Sequence, residues 1–122
     1  MGRDFSIGCS NSTCKGVSYI MFNMVKHVSQ IKDGVDIDDI PSKDKHISVE
    51  QLARIIRILK NDLVAIQYDN ELKVKFIEVY KFYDSDTFDK IRENCKKACD
   101  LFVNTLVDSI LNNENKVYWD YS

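Results

Sequence analysis

The stretch Asp69-Asn70-Glu71-Leu72-Lys73-Val74-Lys75-Phe76-Ile77-Glu78-Val79-Tyr80-Lys81-Phe82-Tyr83 admits two readings, and the choice between them decides the fold. Leu72, Val74 and Phe76 alternate with lysines, as in a half-buried strand, and Asp69-Asn70 is turn chemistry that could open a hairpin. Leu72, Phe76, Val79/Tyr80 and Tyr83 also recur three or four residues apart, the period of a helix face. In the helical reading Glu71, Lys75 and Glu78 line one polar side. Glu71 and Lys75 then lie one turn apart in the favourable order. The helix is the favoured reading, and it makes the chain helical almost throughout.

The flanking segments agree. Downstream, Phe88, Ile91, Cys95, Cys99, Phe102, Leu106 and Ile110 form one long stripe, predicting a helix over residues 87–112. Asp84, Ser85 or Asp86 can cap its start, and Asn112-Asn113 ends it. Upstream, Ser48 and Gln51 form a capping box, with Ile47 and Leu52 placed for a hydrophobic staple. Leu52, Ile55/Ile56, Leu59, Leu63 and Ile66 continue that helix. Nearer the start, Ser12 or Thr13 can cap a first helix reaching Lys32. Its apolar positions are Val17, Ile20, Met21, Met24, Val28 and Ile31. Asp33-Gly34 closes it.

Between the first two helices, residues 33–46 read as a solvated loop. Its aspartates lack the central glycine and late glutamate of a calcium loop. Residues 1–11 are irregular or a short strand, with Phe5 and Ile7 alternating with polar neighbours. The segment Val117-Tyr118-Trp119-Asp120-Tyr121, within an aromatic tail at 113–122, must dock or fray. The expectation is a single all-α domain spanning residues 1–122, four-helix bundle-like, with a short two-stranded pairing of the N- and C-terminal segments as an option.

Composition narrows the function. A chain of 122 residues suits one domain able to bury a core without staples. Four glycines and one proline are too few for the many tight turns of a sandwich or barrel. A net charge of −2 supplies no basic field to hold nucleic acid. No uncharged apolar run is long enough to span a membrane, and the first residues lack the apolar core of a secretory signal. The cytoplasm, with reduced thiols, is the expected location. Lysine outnumbers arginine 13 to 4, as in an AT-rich coding sequence of a low-GC bacterium or its phage.

Four cysteines fall in two pairs, Cys9/Cys14 and Cys95/Cys99. Cys95 and Cys99 share a helix face, and with Cys9 and Cys14 they could give zinc four thiolates. The spacing lacks the tighter knuckles of a zinc ribbon. In an up-down-up-down bundle Cys14 would sit level with residues 106–111, about 10 Å along the helix from Cys99 at 1.5 Å per residue. A crossover topology would close most of that gap. Core packing is the favoured reading, because Cys95 and Cys99 lie within an apolar stripe. Disulfides would need an oxidising compartment.

Nothing reads as catalytic machinery. His27 borders the core stripe of the first helix and is expected half-buried; His46 lies in the loop. Neither has a recognisable nucleophile beside it. Residues 49–54 faintly resemble the start of a helix-turn-helix, but no glycine turn follows. Arg54 and Arg57 are expected on a solvated flank. The glutamates are too dispersed for a helical metal-carboxylate site.

The aromatic residues carry more information. Phe76, Tyr80, Phe82, Tyr83 and Phe88 do not fit one helix face, so the segment is either central in the core or faces a partner, two readings of about equal weight. Tyr118, Trp119 and Tyr121 belong to types enriched at interfaces. The expected function is non-enzymatic: binding a partner protein or a second copy through Phe76, Tyr80, Phe82, Tyr83, Tyr118, Trp119 and Tyr121. A regulator, immunity factor or phage-encoded inhibitor is the expected type. The runner-up is a metal- or small-ligand-binding helical protein, with zinc held by Cys9, Cys14, Cys95 and Cys99.

Overall fold

The computed structural model of the protein describes residues 5–8, 10–11, 14–28 and 45–121. In chain order the elements are β1 (Phe5–Ile7), β2 (Ser10–Asn11), α1 (Lys15–Val28), β3 (His46–Ser48), α2 (Val49–Ala65), α3 (Asn70–Tyr80), α4 (Phe88–Leu111) and β4 (Lys116–Tyr121). The protein is mostly helical, and α4 packs against each of the other three helices. No helix among the described residues is long and apolar enough to cross a membrane.

Within the stretch at 69–83 the helical reading holds over Asn70–Tyr80, and Asp69 decides it. Its carboxylate accepts from the Glu71 and Leu72 amides at 2.8 and 3.4 Å, so the pair read as turn chemistry acts as a helix start. The helix stops at Tyr80, before Phe82 and Tyr83. The capping box at α2 is present in both directions: Gln51 N donates to Ser48 Oγ at 3.0 Å, and Ser48 N to Gln51 Oε1 at 2.9 Å. Thr87, not the acidic residues before it, caps α4 by accepting from Lys90 N at 3.2 Å.

The far end of α4 closes with Asn113 in the left-handed region, φ 55°. The Glu114 amide donates to Ser109 O and the Asn113 amide to Ile110 O, the paired bonds of a Schellman motif. This turn launches β4 back along the molecule.

Four strands, where two were expected as an option, form an antiparallel sheet in the order β2-β1-β4-β3. The anticipated pairing is there: Phe5 faces Tyr121, Ser6 faces Asp120 and Ile7 faces Trp119. The extra partners are β2, beside β1, and β3, where Ile47 faces Val117. Residue 46 therefore belongs to a strand, not to the loop. Phe5, Ile7, Ile47, Val117 and Trp119 all point into the core, the period-two pattern of a sheet with one buried face. Phe5, Phe22 and Trp119 meet with ring centroids 5.9 to 6.4 Å apart, fastening the sheet to α1.

Two helices bury somewhat different faces from those their apolar stripes suggest. On α4, Asn94, Thr105 and Ser109 are buried while Ile110 is 57% exposed. Small polar groups are needed where α1 and β1 come close. A Cβ on Gly16 would lie 2.5 Å from Asn94 Nδ2, and one on Gly8 would lie 2.7 Å from Thr105 Cγ2. On α1 the buried set is Val17, Ser18, Ile20, Met21, Met24 and Val25. His27 lies beyond it and is exposed, not half-buried. The expected caps Ser12 and Thr13, and the stretch of the first helix from Ser29 to Lys32, lie outside the described residues.

Candidate functional site

The seven aromatic residues proposed for an interface divide by position. Phe76, Tyr80 and Trp119 are 4%, 6% and 5% exposed and belong to the core. Helical register turns Phe76 and Tyr80 inward together, their rings 4.9 Å apart, and strand alternation turns Trp119 inward. Burial in the chain's own core leaves these three little surface of their own to offer a partner. Phe82, Tyr83 and Tyr118 are exposed. Tyr121 ends β4. Phe88 is half-buried; Phe76 meets its edge, and Lys73 lies 4.1 Å from its ring centre.

Phe82 and Tyr83 lie in the connection between α3 and α4, and Asp86 shapes that connection. Asp86 Oδ2 accepts from the Phe82 amide at 3.0 Å and the Tyr83 amide at 2.8 Å. Its own amide donates to Tyr83 O at 3.0 Å. The turn is thus closed by both side chain and backbone. It brings the two rings to 4.5 Å, and Tyr19 of α1 joins at 5.1 Å from Phe82. Tyr19, Phe82 and Tyr83 form a three-ring corner where α1 meets the α3–α4 connection. Tyr19 was not legible as part of it; only its place beside the buried Ile20 hints that it flanks the core stripe.

The cysteines occupy unlike environments. Cys9 lies outside the described residues. Cys14 Sγ lies 3.8 Å from Asn94 Oδ1, so Cys14 is level with Asn94 and not with residues 106–111 as an antiparallel bundle requires. Gly16 allows this close approach. Cys95 and Cys99 are buried free thiols. Among the described residues no three His, Cys, Asp or Glu side chains converge as metal ligands. Burial, reinforced by the charge of Asp62 and by Cys99, pushes the Cys95 thiol up to about 12. Burial also raises Cys99, against the opposing effect of Lys60.

Tyr80 extends this buried polar group. Its hydroxyl donates to Asp62 Oδ2 at 2.6 Å and reaches Met24 Sδ at 4.0 Å. Burial, then the bond and charge of Asp62, hold the hydroxyl well above the usual phenol range. Beside this pair an open hollow of about 230 Å³ runs between α2 and α3.

Among the described residues, the buried Trp119 indole N–H has no hydrogen-bond partner.

Comparison with family models, curated proteins and solved structures finds no match for this chain.

Proposed function

We propose that this is an interaction protein that acts by binding another protein, without catalysis, through the corner formed by Tyr19, Phe82 and Tyr83. The carrying observation is an exposed aromatic pair fixed by a carboxylate. Phe82 is 37% exposed and Tyr83 52% exposed, yet Asp86 holds both backbone amides. Aromatic rings presented on an ordered backbone lose little entropy on binding and supply much of the energy at protein interfaces. A regulator or inhibitor that occludes another protein's surface fits this design, and so does self-association.

The shifted side chains do not read as nucleophiles. Tyr80, Cys95 and Cys99 are all pushed toward their neutral forms, whereas a nucleophilic thiol needs a lowered pKa. A bundle-like packing of the four helices around α4 belongs to the same proposal, as the rigid body that carries the corner.

The test compares wild type with the Phe82→Ala/Tyr83→Ala variant, first by circular dichroism and then as immobilised bait in extracts of the native host. A protein retained by wild type and lost by an equally folded variant supports the reading. Identical retention by both overturns the corner as the binding surface.

A further inference from the structure

We propose a second interaction surface, the groove between α2 and α3, whose occupant is the same groove of a second copy of this chain. It extends the binding reading above to a different face and a defined partner.

The groove floor is apolar. Ile66, Phe76 and Tyr80 form it, each buried. Leu72 and Val79 stand on its α3 side, 38% and 58% exposed. Scattered apolar residues on a surface need no explanation, but Leu72 and Val79 border a hollow of about 230 Å³.

Charge identifies the occupant. Asp62 lines the groove from α2 and Lys75 from α3. Asp62 binds the Tyr80 hydroxyl through Oδ2. Among the described residues no ion pair joins Lys75 to Asp62 or to any other carboxylate. One patch thus holds an anion, a cation, protruding apolar side chains and a hollow to receive them.

A two-fold contact brings residue i of one copy to residue j of the other, and j to i. Such a patch is therefore its own complement. The second copy's Lys75 reaches Asp62, its Leu72 and Val79 enter the hollow, and the same contacts form in reverse. A partner of uniform charge would meet a like charge at one of the two positions.

Sedimentation velocity over about 1 to 100 µM tests this, because a reversible dimer must respond to concentration. Wild type is expected to shift from monomer to dimer. Val79→Asp and Lys75→Glu, both at exposed positions, should each weaken the dimer by about tenfold or more.

The reciprocal geometry gives a sharper readout. Lys75→Glu and Asp62→Lys chains should each be monomeric alone, yet pair when mixed, since both crossed contacts then join opposite charges. If Asp62→Lys does not fold, the other two variants decide the matter. A wild type monomeric throughout, or a dimer indifferent to both Val79→Asp and Lys75→Glu, overturns the proposal. So does a dimer lost only in the Phe82→Ala/Tyr83→Ala variant, which would assign self-association to the aromatic corner. Loss of the groove dimer alone leaves the corner's role intact, so the two readings fail separately.

Discussion

The Tyr80 hydroxyl donates to Asp62 Oδ2 across 2.6 Å, joining the last residue of α3 to the last turn of α2. A neutral donor this close to a carboxylate makes a strong bond. Its position beside Met24 and Cys95 sets it at the edge of the core. Because α3 is only 11 residues long, it relies on tertiary contacts to stay helical.

Tyr80→Phe should therefore destabilise the protein by about 1.5–3 kcal/mol, the usual worth of a hydrogen bond to a charged group. Asp62→Ala removes the same bond from the other side. Urea titrations of the two single variants and the double variant should show a double loss smaller than the sum. Strict additivity would mean that the bond contributes nothing to stability.

Gly8 presents a different dependence, on backbone shape. Its φ of 55° is costly for any residue with a Cβ, and that Cβ would lie 2.7 Å from Thr105 Cγ2. Gly8→Ala should cost about 2 kcal/mol, combining left-handed strain with overpacking. Thr105→Ser deletes only the clashing methyl and keeps the hydroxyl that bonds Leu101 O. In the Gly8→Ala background, Thr105→Ser should recover part of the loss, because the strain at φ remains. Thermal unfolding of the three variants checks this; no recovery would place the whole cost in the backbone.

The helices were legible wherever a local signal had a local cause. Ser48 and Gln51 announce α2 because the capping box needs only those two residues. The apolar period announces α3, although the Glu71–Lys75 pair expected with it does not form among the described residues. The sheet was half legible: Phe5 and Ile7 alternate visibly, and so do Val117 and Trp119. His46–Ser48 did not read as a strand, because three residues carry no period and Ile47 already had a role at the helix start. The buried face of α4 was misplaced at Ile110 because Thr105 is buried by the long-range approach of β1 and Ser109 by the chain's return into β4, not by their own polarity. The aromatic set shows the same limit. Periodicity could say that Phe76, Tyr80 and Phe82 do not share one face, but not which of them the core would claim.

Asp86 should matter to presentation more than to folding. Asp86→Ala removes the acceptor of the Phe82 and Tyr83 amides in an exposed turn. Exposed bonds of this kind contribute modestly, so global stability should fall by no more than about 1 kcal/mol. Amide exchange at Phe82 and Tyr83 should nonetheless quicken well beyond that of α4, as the turn opens locally. If exchange at these two amides is unchanged, the turn is held by the ring contacts with Tyr19, and the carboxylate is incidental.

The buried thiols give a pH dependence whose sign is fixed. In the unfolded chain Cys95 releases its proton near 9.0, whereas in the folded protein it holds it to about 12. Within that window the unfolded state binds fewer protons, so stability falls as pH rises; the contribution is whole below 9.0. Tyr80 and Cys99, also raised, act in the same direction. Wild type should lose stability between about pH 8 and pH 10.5, and Cys95's share should be on the order of 1–2 kcal/mol. Cys95→Ala lowers stability at every pH by leaving a small cavity, so the informative quantity is the slope. Urea titrations at the two pH values should give a shallower decline for the variant. Parallel declines would show that the Cys95 thiol reaches solvent well enough to ionise in the folded protein, against its burial between α2 and α4.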